Sequence, residues 1–271
     1  MVDQYAVFGN PINHSKSPLL HASFARRCGQ TISYRAILAP VDGFSPALQS
    51  FIDQGGRGAN VTVPFKLEAF ALCDEVTPRA NTAAAVNTLW FKGGKIFGDN
   101  TDGVGLVRDI TFNAGVTLFS RRVLLLGAGG AARGALLPLL EQEPSELVIA
   151  NRSMDKAQQL AMAFRQYGPV SSCAFADLSG QFDVIINATS ASLQAERPPL
   201  ADAIYQVGSF AYDMLYADRP TLFLQHAASC QAQTRDGWGM LVEQAAEAFH
   251  TWRGVRPETG LLLNRQNLGN A

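Results

Sequence analysis

Leu124-Leu125-Leu126-Gly127-Ala128-Gly129-Gly130-Ala131-Ala132-Arg133 reads as an apolar strand, a glycine turn and the opening of a helix. Gly127, Gly129 and Ala132 occupy the small positions of a G-x-G-x-x-A pattern. Gly127 permits the tight turn, Gly129 lets backbone amides approach a pyrophosphate, and Ala132 lets helix and strand pack closely. With Ala128, Gly130 and Ala131 completing the turn, a dinucleotide diphosphate is expected on the positive end of the helix. A glycine turn is also a common structural device, so the strand before it and the helix after it give the pattern its meaning.

Both sides of this stretch continue the same rhythm. Downstream, helices are predicted over 131–140 and 154–167, with strands at 121–126, 146–150, 172–176, 184–187 and 210–214. This is the β-α-β-α order of a doubly wound nucleotide-binding domain. Upstream, strands at 5–8, 34–38 and 58–64 alternate with helices, and a further helix is expected over 103–114. Ser17-Pro18 reads as an N-cap hydroxyl followed by proline at the first helical position, and a second helix spans 44–54 before Gly55-Gly56. Alternating strands and helices imply a mostly parallel sheet covered on both faces. The final pattern, 240–253, is an amphipathic helix expected to return to the first domain. The predicted fold is thus α/β with two domains: 1–102 together with 239–271 for substrate, and 103–238 as a Rossmann-like dinucleotide domain, with the active site in the cleft between them.

At 271 residues the chain suits two modest cores better than one. Its 22 basic and 23 acidic residues leave a formal net charge of −1, so no overall field attracts nucleic acid or an anionic membrane. The start Met1-Val2-Asp3-Gln4 lacks a signal-peptide pattern, and no stretch approaches the roughly 18 apolar residues of a membrane span. Cys28, Cys73, Cys173 and Cys230 are widely spaced and suggest reduced thiols in a cytoplasmic protein. His14, His21, His226 and His250 show no metal-ligand spacing, and no metal is expected. A homodimer is left open.

The strand after the glycine turn ends in Asn151-Arg152-Ser153, with Lys156 one turn on. NAD enzymes commonly place a carboxylate there for the ribose 2′-hydroxyl. This chain instead offers a guanidinium, suited to forked bonds with a 2′-phosphate, with Ser153 and Lys156 in support. The pattern favours NADP over NAD. An exposed basic helix start is the plainer alternative, and Asp155 partly offsets its charge.

Further motifs run through the chain in order: Gly9-Asn10-Pro11-Ile12-Asn13-His14-Ser15-Lys16-Ser17-Pro18, Gly58-Ala59-Asn60-Val61-Thr62-Val63-Pro64-Phe65-Lys66, Ala85-Val86-Asn87-Thr88, Gly98-Asp99-Asn100-Thr101-Asp102-Gly103, Asn187-Ala188-Thr189-Ser190 and Asp236-Gly237-Trp238-Gly239-Met240-Leu241-Val242-Glu243-Gln244-Ala245. Together with the glycine turn they resemble the shikimate/quinate dehydrogenase family over essentially the whole length. The resemblance implies hydride transfer between the carbon-3 hydroxyl of shikimate and a nicotinamide, reversing to reduce 3-dehydroshikimate. It implies Lys66 and Asp102 as the catalytic pair. Ser15, Ser17, Asn60, Thr62, Asn87 and Gln244 match substrate-binding positions, with Thr101 beside them, and Thr189, Met214 and Gly237 join the cofactor positions.

The chemistry fits these types. Shikimate carries a carboxylate and three hydroxyls, so its pocket needs many short polar groups. Ser15 and Ser17 suit the carboxylate near a helix start. A lysine both gives and takes a proton when desolvation brings its ammonium toward neutrality. Asp102 would orient it, and which of the two transfers the proton stays open. Taken singly, each feature has a plainer reading: a Lys–Asp pair is usually a surface ion pair, and Asn60 and Thr62 alternate with valines as in any half-buried strand. The chain departs from the family pattern at Ala132, at Ser190-Ala191-Ser192-Leu193 and at Trp238, which bears on cofactor placement. Two rivals remain, an NAD-using quinate/shikimate dehydrogenase and a catalytically silent dinucleotide-binding paralogue.

Overall fold

The computed structural model describes residues 2–269. The chain divides into two compact units, one of Met1–Gly105 with Val242–Ala271 and the other of Leu106–Leu241.

The first unit is built on β1 (Asp3–Gly9), α1 (Ser17–Arg27), β2 (Ile32–Leu38), α2 (Phe44–Asp53), β3 (Gly56–Val61), α3 (Lys66–Leu72), β4 (Glu75–Val76), α4 (Pro78–Ala83), β5 (Thr88–Lys92) and β6 (Lys95–Asp99). Its sheet runs β2-β1-β3-β5-β6-β4. β1 pairs in parallel with β2 and β3, whereas β5 pairs antiparallel with both β3 and β6. The sequence expectation of alternating strands and helices thus gives way, in its second half, to a hairpin. Gly93 and Gly94 form its two-residue turn at φ 60° and 76°, the left-handed pair that such a turn demands. One sheet face packs Ala6, Phe8, Phe44, Phe51, Phe65 and Leu89. Elsewhere in the unit Tyr5, His21, Phe24, Tyr34, Phe249 and Trp252 form an aromatic stack, and the Trp252 indole donates to the Leu89 carbonyl at 2.9 Å.

The second unit is entered along α5 (Asp102–Arg108), which continues as a π-helical turn, Asp109–Asn113. It then follows β7 (Arg122–Leu126), α6 (Gly130–Leu140), β8 (Glu146–Asn151), α7 (Met154–Phe164), β9 (Val170–Ala174), β10 (Phe182–Asn187), β11 (Tyr205–Asp213), α8 (Leu222–Ser229) and β12 (Gln233–Asp236). The sheet order is β12-β11-β10-β7-β8-β9, all parallel. This is the doubly wound order, with its switch point beside the first strand of the unit. β7 buries Val123 and Leu125 in one core and Leu124 and Leu126 in the other, which is why its sequence is continuously apolar. The chain re-enters the first unit within α9 (Trp238–Arg253). The buried Asp109 carboxylate accepts from the Tyr212 hydroxyl and from both Nε and Nη2 of Arg235, joining the π-helical turn to β11 and β12. Among the described residues no helix is long and apolar enough to cross a membrane.

Candidate active site

In the first unit, Lys66 and Asp102 meet. Lys66 opens α3 directly after the Val63-Pro64 bend and Asp102 sits in the first turn of α5, where the helix dipole favours a carboxylate. The Lys66 ammonium donates to Asp102 Oδ2. Side-chain exposures of 28% and 13% set the pair apart from an ordinary surface ion pair. Asp102 Oδ1 accepts from Asn87 Nδ2 at 2.8 Å, so both carboxylate oxygens are held.

Asn87 is the hub of this network. Its Oδ1 accepts from the Thr101 backbone N–H at 2.9 Å, a donor that fixes which way the amide points. Its Nδ2 lies within bonding distance of Asp102 Oδ1, of Thr101 Oγ1 at 3.0 Å and of Gln244 Oε1 at 3.3 Å. Two amide protons facing three acceptors leave Asn87 fully engaged inside the protein. It organises Asp102, Thr101 and Gln244 more than it offers a vacant donor.

Asn60 is oriented in the same way. Its Nδ2 donates to the Asn87 carbonyl at 3.2 Å and to Thr88 Oγ1 at 3.1 Å, while its Oδ1 accepts from the Tyr34 hydroxyl at 2.7 Å. With both amide protons committed, Asn60 can present only an acceptor, which suits a hydroxyl. Tyr34 and the ring beneath it, His21, escaped the sequence reading. They stack at 4.2 Å with planes 7° apart. Burial pushes the Tyr34 phenol well up and the His21 imidazole down to about 3, so both stay neutral. Their only sequence signal was an aromatic residue on β2 and a histidine on the inner face of α1.

Ser15 and Ser17 differ from expectation in one respect. Lys16 is the N-cap of α1 and Ser17 its first helical residue, buried. The Ser17 N–H donates to Ser15 Oγ at 3.3 Å, while no side chain makes the N-cap bond itself. The Ser17-Pro18 signature marks the helix start but places the cap one residue late: Pro18 falls at the second helical position, where its missing N–H is equally no loss. Thr62 lies just beyond β3, half-buried, with its N–H donating to the Phe8 carbonyl.

A charged chain behind this network also went unread. Asp99 accepts from Arg79 and from Thr77 Oγ1. Arg79 reaches on to Glu247, Glu247 to Arg256, and Arg256 to the fully buried Glu243, which also accepts from Thr259. Burial raises the Asp99 carboxyl, but the Arg79 guanidinium outweighs it and holds the group below its ordinary value. The chain ties Asp99, three residues before Asp102, to α9, which carries Gln244.

In the second unit, the expected cofactor residues lie at the carboxyl ends of the strands: Gly127 after β7, Asn151 closing β8, Thr189 after β10, Met214 after β11 and Gly237 after β12. That edge is where open parallel sheets take ligands. Gly127 has φ +103°, and a Cβ there would press on Ala188 and Thr189. Added Cβ atoms at Gly129 and Gly130 meet nothing within 4 Å. No internal packing requires glycine at those two positions, consistent with backbone left bare for a diphosphate at the start of α6. Ala132 is fully buried against the strand, while Ala128 is half-buried and Ala131 exposed.

Arg152 lines a cavity of about 380 Å³ with Ala174, Phe175, Ala176 and Pro199. Asn151 Nδ2 donates to the Ser153 carbonyl and shapes this turn; Ser153 is the N-cap of α7, and Lys156 is exposed. Met214 N–H donates to the Asn187 carbonyl, and Gly237 has no room for a Cβ against the Met214 backbone. Thr189 donates through both N–H and Oγ1 to Asn187 Oδ1. The unusual Ser190–Leu193 segment has an internal reason: Ser192 Oγ donates to the buried Asp213 at 2.7 Å, and Thr221 does the same. Trp238 packs edge-on against Tyr216. These residues fit a dinucleotide with a 2′-phosphate: bare amides, a helix start and a guanidinium beside an open cavity.

Comparison with known proteins places this geometry. Residues 7–89 match the shikimate dehydrogenase substrate binding domain, 111–197 the shikimate/quinate 5-dehydrogenase domain and 237–263 the shikimate 5′-dehydrogenase C-terminal domain. The chain belongs to the shikimate dehydrogenase family. A curated relative, the NADP(+) shikimate dehydrogenase of Aromatoleum aromaticum, is 59% identical over 97% of this chain and 96% of its own. Among solved structures, an Ael1 enzyme from Pseudomonas putida is 49% identical with a TM-score of 0.91, covering 97% of each chain. Shikimate 5-dehydrogenase from Thermus thermophilus, solved with NADP(H) and shikimate, is 31% identical with a TM-score of 0.86 over 96% of each chain. Membership of the shikimate dehydrogenase family covers both units, so the substrate-type network and the dinucleotide-type edge belong to one family pattern.

Proposed function

We propose that this chain is an NADP-dependent oxidoreductase that interconverts 3-dehydroshikimate and shikimate, serving aromatic biosynthesis in the cytoplasm. The observation that carries the reading is the Lys66–Asp102 pair locked into an oriented amide and hydroxyl network. NADP, when bound, supplies or accepts the hydride. The remaining chemistry falls to the chain itself. Reducing a ketone requires a proton at its oxygen, and Lys66 Nζ is the group that gives it; in the reverse direction the same nitrogen takes it back. Asp102 holds the ammonium in place, and Asn87 holds Asp102. Asn60 accepts from a ring hydroxyl, with Thr62, Thr101 and Gln244 around it, while Ser15 and Ser17 take the carboxylate at the start of α1. Arg152, Ser153 and Lys156 read the 2′-phosphate, and the amides of Gly127–Ala131 hold the diphosphate with Thr189, Met214 and Gly237 nearby.

The test is absorbance at the reduced-nicotinamide band with shikimate or quinate and either NADP or NAD. Reduction with shikimate and NADP, and much slower turnover with NAD, is the expected result. Equal use of NAD would remove the role given to Arg152. Silence with shikimate under every condition would overturn the reaction.

A further inference from the structure

We propose that Asp202, His226 and Cys230 form a binding site for a borderline divalent cation of the zinc class, with the Tyr205 ring packed beside His226. His226 and Cys230 stand four residues apart, the spacing that puts two side chains on one helix face. Asp202 comes from a 3₁₀ turn, Asp202–Ile204, just before β11. No short sequence motif joins them, so only the fold brings them together.

One carboxylate oxygen, one ring nitrogen and the sulfur lie within 4.8 Å of one another. The His226 Nε2 to Asp202 Oδ1 separation is 3.3 Å, about the ligand–ligand distance of a tetrahedral ion with bonds of roughly 2.0–2.1 Å. That nitrogen is buried yet makes no hydrogen bond of proper geometry among the described residues. A second observation is independent of the three. Tyr205 is 5% exposed, its hydroxyl has no hydrogen-bond partner among the described residues, and its ring stands edge-on to His226 at 5.7 Å. That hydroxyl lies close enough to Cys230 and Asp202 for their charges to act on it, and an ion with its water shell would satisfy it.

A nucleophilic relay fits less well. It needs the two ring nitrogens of histidine to face different partners, whereas here one nitrogen faces both the carboxylate and the sulfur. Sulfur, imidazole and carboxylate together select zinc-like ions over magnesium or calcium. On binding, the Cys230 thiol gives its proton to solvent and the sulfur forms the metal bond. Arg197 lies close enough to act on both His226 and Cys230, so the cation meets one like charge against the two opposite charges of carboxylate and thiolate. Such an ion would tie the turn before β11 to α8.

The test is titration of the untagged chain with cobalt(II), followed by absorption. One equivalent should produce a near-ultraviolet band that requires a thiolate ligand. Cys230→Ser should abolish the band although Cys28, Cys73 and Cys173 remain. Asp202→Asn, at an exposed side chain, should weaken binding by more than about tenfold, with shikimate turnover unchanged in both variants as the check on folding. No thiolate band in the parent chain, a band that survives Cys230→Ser, or an affinity unmoved by Asp202→Asn would each overturn the site.

Discussion

Replacing Arg79 by methionine isolates the charged chain that backs the active-site network. Asp99 is 2% exposed, and Arg79 holds both of its oxygens, with Nε 2.7 Å from Oδ1. Glu247 keeps Arg256 after the change, so the uncompensated charge falls on Asp99, left with Thr77 and the Asn100 N–H. Breaking a buried pair by removing one partner costs about 3–5 kcal/mol. Trp90 and Trp252 lie in the first unit and Trp238 in the second, so urea unfolding followed by tryptophan fluorescence, in a Trp238→Phe background, reads the loss in the first unit. Arg79→Met should lose about 3–5 kcal/mol at pH 7, and adding Asp99→Asn should restore much of it, since no bare carboxylate then remains. The pH dependence has a definite sign. In the parent the Asp99 carboxyl sits below its ordinary 3.8, so its contribution is present above that value and fades as pH falls through the depressed one. In Arg79→Met burial, the largest single influence on the group, is opposed only by the Thr77 and Asn100 hydrogen bonds, so the carboxyl rises and protonation relieves the variant first. The gap between the two proteins should narrow from pH 7 toward about pH 4. A loss below about 1 kcal/mol, or a gap that stays constant with pH, would refute the buried-charge account.

Lys66→Ala should lower kcat by about 10²–10⁴ while the KM for shikimate moves little; steady-state kinetics decides, and unchanged turnover would remove Lys66 from the mechanism. Arg152→Ala should raise the KM for NADP by roughly tenfold or more, the value of a charged hydrogen bond to phosphate, and leave that for NAD within about twofold. His21, buried neutral at about 3 against an ordinary 6.5, resists protonation when folded but not when unfolded. Its effect is nil above pH 6.5 and destabilising below, about 2 kcal/mol from pH 7 to pH 5. His21→Phe should flatten that slope in urea titrations at the two pH values.

Much of this was legible in the chain because its strongest signals are local. The Leu124–Arg133 stretch fixes strand, turn and helix within ten residues, and the observed α6 begins one residue from its expected start. The Asn151-Arg152-Ser153 turn falls on the end of β8 and the start of α7. What stayed hidden was pairing over distance. Nothing near Asp99 signals Arg79, and nothing near Asn60 signals Tyr34; these partners meet only once α4 packs beside β6 and β2 and β3 flank β1. The β5–β6 hairpin had a local cue in Gly93-Gly94, but the short strands around it were lost against the stronger alternation on either side. Short polar side chains carry no periodicity, so their engagement with one another, as at Asn87, is invisible until the fold supplies the geometry.

The mutual anchoring of Asn60, Thr88, Asn87 and Thr101 bears on how this pocket can evolve. Thr88, Asn87 and Thr101 are each at once donor and acceptor within the set, and Asn60 donates into it while accepting from Tyr34. Replacing one leaves its neighbour with an orphaned group, and the penalties of such neighbours do not add. Drift here is therefore coupled: tolerated variants arise as matched pairs, and a library varied one position at a time samples mostly dead ends. New substrate preference in this scaffold should come from simultaneous changes within the quartet, or from Thr62 and Gln244 at its margin.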